Sequence, residues 1–279
     1  MPSPREQLYP GRQFIDTALD ALDSKTRMSR ELTVPYLQRA AMAGIIIGVF
    51  YGAYYAVVAT FAAIPAGDST LIGVGRFLGA LVFGWALVFI YYSKSELLTS
   101  NMMVATIGLY YRRTTPRRVL GLLTLCYLGN ALGGLLLATI VRFSTLASGT
   151  VLEQMAHSVA TKVGYIEAGL PGMADLLMRA ILCNLMINIA VLLVYNGAIK
   201  SDVTKTLAMV MAVFIFAFLG LEHSVANTVL FWVVGLSAGV DPLLAAANVA
   251  IALLGNYIGG GLLIGAYYAY ANDENRGVR

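Results

Sequence analysis

Charge is what this sequence has least of. Only 12% of its 279 residues are Asp, Glu, Lys or Arg, against 58% hydrophobic, and that balance excludes a water-soluble domain of this size. Cysteine is nearly absent. Cys126 and Cys183 each stand alone within an apolar segment, so they read as small core residues rather than as a disulfide. Histidine is as scarce, and no His/Cys/carboxylate cluster has the spacing of a metal site. No Gly-rich phosphate loop follows a strand, so the residues imply neither a metal nor a cofactor. The first 35 residues are polar, without an early apolar core, and no cleaved signal peptide is expected. The net charge of +4 comes from basic residues between apolar runs, which reads as topology-setting loop charge and not as a nucleic-acid surface.

What is present is a series of apolar runs of membrane-spanning length. Residues 1–35 read as a cytoplasmic arm, with an amphipathic helix around 16–23, and residues 36–270 as a six-helix transmembrane domain. The first span covers 35–63, where Gly44, Gly48 and Gly52 line one face for close packing. After a turn at Pro65, Ala66, Gly67 and Asp68, a 16-residue run at 77–92 stops at Glu96 and resumes over 97–111, a broken helix. A basic turn around Pro116 leads to the third span, 119–141. Residues 142–172 form the longest polar connection, with His157 solvated in a loop. The fourth span is 173–196; the fifth, 206–221, breaks at Glu222 and resumes over 224–236; the sixth is 241–270. Residues 271–279 form a cytoplasmic tail.

Orientation follows from Lys and Arg. With the N-terminus inside, the inner segments hold 15 basic residues and the outer ones 4. Both termini are therefore expected in the cytoplasm of a cell that carries this multi-pass protein in its inner membrane. An internal repeat accompanies the six spans. Glu96, Asn101, Gly129, Asn130, Gly133 and Gly134 recur 126 residues later as Glu222, Asn227, Gly255, Asn256, Gly259 and Gly260. A second register, offset by 140, matches Arg39 and Ala40 to Arg179 and Ala180. Three spans per half (36–141 and 173–270) is an odd number, so the halves are inverted in the membrane. Inverted repeats with broken helices are transporter and channel architecture.

The breaks are where chemistry is expected. Broken backbone at membrane depth survives only when buried in protein or lining a wet cavity. The resumed half-helices offer N–H groups to an anion; Thr99 and Ser100 add hydroxyls, and His223 adds a titratable donor. A weak acid that crosses protonated avoids most of the cost of burying charge. Glu96 and Glu222 read as caps ahead of open N–H groups, and Asn130 and Asn256 as helix fasteners. Two blander readings stand beside these: His223 as a satisfied core histidine, and Phe83 and Phe216 as plain core.

Four segments carry a resemblance: Gly-Leu-Glu-His-Ser-Val-Ala-Asn at 220–227, Ile-Leu-Cys-Asn-Leu at 181–185, Glu-Leu-Leu-Thr-Ser at 96–100, and Gly-Asn-Tyr-Ile-Gly-Gly-Gly-Leu-Leu at 255–263. In these the chain resembles the formate/nitrite transporter family over residues 36–270. The resemblance implies an aquaporin-like all-α fold, a homopentamer with one pore per subunit, and passage of small monovalent anions with a proton. It places His223 at the pore centre with Asn184 as its polar partner and Thr99 in the loop of the broken second helix. Phe83 and Phe216 would form the outer constriction, and Leu87, Leu97, Leu98 and Ile187 the inner one. A family Lys before the fourth span falls by spacing on Ala168; Lys162 takes that role if the loop is six residues longer.

The leading expectation is a channel for formate, lactate or acetate. Nitrite or hydrosulfide passage fits the same residues. A neutral-solute channel of the aquaporin kind is disfavoured because its paired Asn-Pro-Ala motifs are missing. A membrane enzyme is disfavoured because no catalytic cluster exists. Membrane lipid is an expected partner, and the arm is free to gate the pore or bind another protein.

Overall fold

The computed structural model describes residues 8–67 and 69–274. Asp68 of the expected turn, and Arg5, Arg276 and Arg279 of the charge count, lie outside the described residues. An arm helix, α1 (Arg12–Glu31), precedes the bundle. Then come α2 (Thr33–Ala62), a two-residue hairpin of β1 (Pro65–Ala66) and β2 (Ser69–Thr70), and α3 (Ile72–Tyr92) with the half-helix α4 (Leu98–Tyr110). The first half ends with α5 (Pro116–Arg142). The second half is α7 (Gly169–Tyr195), α8 (Asp202–Phe218) with half-helix α9 (Ser224–Ser237), and α10 (Pro242–Asn256). The last span continues through a π-helical stretch, Tyr257–Ala266, into α11 (Tyr267–Ala271). Between the halves lies α6 (Gly149–Glu167).

Among the described residues five helices are long and apolar enough to cross a membrane, the 17-residue α8 falling short of that length, and the two expected breaks have a form that hydropathy hides. The second apolar run is longer than its 16 most apolar residues: α3 has 21, about 32 Å at 1.5 Å per residue, long enough to cross a bilayer by itself. The chain then turns back. Ser95 N–H donates to Ile90 C=O at 3.0 Å and Lys94 N–H to Tyr91 C=O at 3.2 Å, with Lys94 left-handed at φ 57°. This paired closure ends a helix and reverses its chain. The second half repeats it: Leu221 to Phe216 at 2.9 Å and Gly220 to Ala217 at 3.2 Å, with Gly220 at φ 65°. Glycine accepts that conformation without strain, whereas a lysine pays roughly 1–2 kcal/mol for it.

Hydrogen bonds fix where each half-helix points. Tyr92, ending α3, reaches Asp202 at the start of α8, and Tyr110, ending α4, reaches Asp273. Both ends thus lie on the face that carries the arm. Arg179 near the start of α7 holds the Leu219 and Gly220 carbonyls, and Arg142 ending α5 holds that of Leu236. That is the opposite face, here the loop face. So α4 and α9 enter from opposite faces, and their N-termini meet inside. Each packs on the last span of the other half: α4 on the π-helical stretch, α9 on α5.

Small residues permit the close crossings. A Cβ on Gly44 would overlap the Asn130 carbonyl oxygen, and one on Gly48 the Leu137 side chain. Gly52, expected on the same contact, meets nothing within 4 Å. The arm helix buries Phe14, Ile15, Leu19 and Leu22 against the bundle, each worth roughly 1.5–3 kcal/mol. The 142–172 connection is largely helical, and His157 sits on α6 rather than in a loop.

Candidate functional site

The two half-helix starts are built alike, from residues 126 apart. Asn130 Oδ1 accepts the Leu98 N–H at 3.1 Å, while its Nδ2 donates to the Ala40 and Glu96 carbonyls, both at 2.8 Å. Asn256 Oδ1 accepts the Ser224 N–H at 2.9 Å, and its Nδ2 donates to Ala180 at 2.8 Å and Glu222 at 3.0 Å. Each amide thus ties three backbone segments at a point where lipid would leave them unpaired. Both sequence registers, 126 and 140, are realised in these bonds.

Glu96 and Glu222 do not cap the half-helices. The N-cap positions fall one residue later, on Leu97 and His223, so the carboxylates turn away from the free N–H groups. Glu222 accepts from Lys162 Nζ at 2.8 Å on both oxygens and from Asn227 Nδ2 at 2.6 Å. Glu96 accepts from Asn101 Nδ2 at 3.1 Å and pairs with Lys25 of the arm. Lys162, expected to stand in for the family's Lys in the loop before the fourth span, lies instead within the helix α6 and is buried in this pair.

His223 caps α9 with its own ring. Nδ1 accepts the Ala226 N–H at 3.1 Å, and Nε2 lies 3.3 Å from Thr99 Oγ1 on the other half-helix. A nitrogen that accepts carries no proton, so this network assigns the neutral Nε2–H tautomer, with Nε2–H directed at Thr99. Asn184 does not hydrogen-bond the imidazole. Its Nδ2 donates to the Thr99 carbonyl at 3.1 Å and the Asn256 carbonyl at 2.7 Å. Asn188, one turn on, donates to the same Thr99 carbonyl at 3.2 Å.

Three cavities stand in series. A loop-face vestibule of about 330 Å³ narrows to Phe83, Phe216 and His223. The same three residues begin a chamber of about 20 Å³, closed at its other end by Leu87, Ile90 and Leu97 with Ile187 alongside. Those three leucine and isoleucine side chains in turn floor an arm-face vestibule of about 220 Å³ that includes Ser100 and Lys25. The Phe83 and Phe216 rings meet edge to face at 5.9 Å, and Phe216 stacks on His223 at 5.9 Å. Leu98, expected in the inner constriction, does not line the chamber; it is buried 1% exposed in the core. Side chains one apart on a helix start point to different sides, and Leu97 takes the pore side. Among the lining residues of the chamber, His223 is the sole polar one.

Several residues at the site carry no signal in the repeat. Lys25, the partner of Glu96, belongs to the arm. Arg76, His157 and the tyrosines Tyr51, Tyr54 and Tyr55 gather around the loop-face vestibule from three elements, beside Arg179, which the 140 register does match to Arg39. The amphipathic period of α1 was the one available hint for Lys25, since its apolar face had to dock somewhere.

Two vestibules joined through a water-sized apolar chamber, inside a bundle of membrane-length helices, define a membrane channel. The chain belongs to the formate/nitrite transporter family, whose sequence model matches residues 12–270. It is 29% identical over 228 residues to the formate channel FocA of Haemophilus influenzae, covering 71% of this chain and 75% of that one. Among solved structures it is similar to an FNT family ion channel, with a TM-score of 0.78 at 22% identity, covering 93% of this chain and 99% of the other. A pentameric formate channel with formate bound superposes with a TM-score of 0.66 at 20% identity, covering 86% and 97%. At those identities the structural likeness speaks for the fold.

Proposed function

We propose that the protein passes small monocarboxylates such as formate, lactate or acetate together with a proton, past His223. The observation that carries this reading is the chamber: about 20 Å³, room for about one water, with no charged side chain on its wall. An ionised carboxylate stripped of water there would meet an idealised penalty on the order of 20 kcal/mol, with one N–H donor to offset it. The neutral acid meets a small fraction of that.

The residues divide the work. Arg76 on the loop side draws anions to that vestibule, whereas the charges of Lys25, Lys162 and Arg179 are compensated by Glu96, Glu222 and Asp175. Phe83 and Phe216 on one side, and Leu87, Leu97 and Ile187 on the other, admit one small solute at a time. The Nε2–H of His223, held over the chamber by its cap, hydrogen-bonds the acid as it passes and lends its hydrogen bond from Thr99 to the solute. A ring that took a second proton at Nδ1 would lose the Ala226 bond, so the geometry favours an acid that brings its own proton.

The arm face is assigned to the cytoplasm from the charge count. The assembly is a homopentamer with one pore per subunit, a reading supported by the pentameric relative and by apolar side chains left exposed on the outer faces. Flux into proteoliposomes, compared for formate, lactate, nitrite and hydrosulfide across a pH series, tests the function. Saturable carboxylate uptake that rises as pH falls is expected. Nitrite or hydrosulfide flux with little carboxylate flux would keep the channel and replace the substrate.

A further inference from the structure

The arm helix and the start of α5 enclose a second feature, a pocket of about 510 Å³ on the arm face, away from the pathway. Arg30 enters it from α1, and Arg117 and Arg118 from the first turn of α5. No carboxylate lines it. The acids nearest in sequence are already engaged, Glu31 by Arg27 at 2.8 Å and Asp23 by Arg113 at 4.0 Å. Among the described residues, Arg30, Arg117 and Arg118 make no ion pair. Three like charges converging without a counter-ion repel one another, and planar guanidiniums suit bidentate contact with phosphate oxygens. Thr26 and Thr115 line the same space. Thr115 accepts the Arg118 N–H at 3.5 Å, which leaves its own proton free to donate.

Further along α5 the lining turns apolar. Leu122 and Leu125 continue the pocket down α5 toward a stripe of exposed side chains, Leu128, Leu132, Leu136 and Ile140. The spacing of four puts that stripe on one face of a spanning helix, where acyl chains lie. We propose that this pocket binds the phosphate headgroup of an anionic phospholipid, its guanidiniums on the phosphate and its tails along α5. Basic pockets at the membrane edge between helices recognise headgroups in this way. A soluble phosphate would have no use for the apolar wall. The inference rests on α5 spanning the membrane, not on the transported substrate or the orientation.

The test uses the full-length oligomer in detergent, titrated with phosphatidylglycerol, with phosphatidylcholine of the same chains, and with inorganic phosphate, and read by native mass spectrometry. Phosphatidylglycerol is expected to bind in preference to phosphatidylcholine. R117Q/R118Q should weaken that binding by about thirtyfold, given roughly one decade or less per basic residue at a membrane surface. A charge-matched control from the same face, R112Q/K200Q, should change it less than twofold. Equal binding of the two lipids, or equal loss in both variants, would overturn a specific site. Inorganic phosphate that occupies the site and displaces the lipid would reassign it to a soluble anion. Loss of the oligomer in R117Q/R118Q alone would reassign it to a subunit contact.

Discussion

Thr99 Oγ1 and His223 Nε2 lie 3.3 Å apart, the first turn of one half-helix touching the cap of the other. These two residues are separated by 124 positions in sequence and come from opposite halves of an inverted repeat. The contact joins the N-terminal ends of two helix dipoles, both positive, across a single hydrogen bond. An imidazolium there would face both ends and lose its cap; a neutral ring satisfies both. The histidine is thereby a structural cap and a pore-lining donor at once, and the two roles can be separated by substitution.

His223→Asn keeps a good N-cap side chain, so its stability should stay within a few tenths of a kcal/mol, whereas His223→Ala should lose about 1 kcal/mol. Both lack the Nε2–H, and both should flatten or shift the pH dependence of flux. Thermal unfolding of the purified oligomer and proteoliposome flux separate the effects. If Asn and Ala destabilise equally, the capping role of the ring is wrong.

The Lys162–Glu222 pair is buried, with the two side chains 7% and 4% exposed. Removing one partner strands the other's charge, at about 3–5 kcal/mol. Lys162→Met and Glu222→Gln are each expected to be strongly destabilising. Together they should recover most of that loss, since a neutral pair leaves no buried charge. A double-mutant cycle on chemical or thermal unfolding reads the coupling directly. Additive losses would mean that the two side chains do not pair in the folded protein.

Much of the fold was legible because burial leaves a strong trace. Apolar length fixed the spans, and two amide-bearing positions repeated at an offset of 126 located the half-helix starts that Asn130 and Asn256 hold. What the sequence hid is what the repeat does not contain. Lys25 and Lys162 play matched parts toward Glu96 and Glu222, yet one comes from the arm and the other from α6, so no register relates them. The turn back after α3 was hidden too. Arg76 interrupts the apolar run and cut it short at Phe77, so the helix that begins at Ile72 looked shorter than a crossing. Reading Glu as the cap erred by one residue, and a one-residue shift at a helix start decides which side chain reaches the pore.

The arm's ion pair sets a pH window. Burial alone would lower the pKa of Lys25, but the Glu96 carboxylate beside it, with smaller effects from Tyr195 and Cys126, outweighs that and raises it above the ordinary 10.5. A lysine raised on folding contributes stability that is fully present below 10.5 and lost as pH climbs through the folded value. With respect to Lys25, docking of α1 should therefore be constant from neutral pH upward until the alkaline range. Hydrogen exchange of α1 amides between pH 7 and 11, corrected for the intrinsic rate, is expected to show protection falling only at the top of that range. Protection lost near neutral pH would mean that Lys25 is not what holds the arm.

Neighbouring leucines give the sharpest contrast between sequence pattern and structure. Leu97 lines the chamber, while Leu98, 1% exposed, faces the core and sends its N–H to Asn130. Leu97→Phe adds a ring to a space of about 20 Å³, so it should cut lactate flux more than formate flux and leave stability within about 1.5 kcal/mol. Leu98→Phe puts the same ring into packed core, where overpacking costs about 1–3 kcal/mol. Its lactate-to-formate ratio should stay at the parent value. Paired flux and unfolding measurements on the two variants check both halves. A selectivity change at Leu98 with none at Leu97 would place the inner constriction one residue further along and rotate the start of α4 with it.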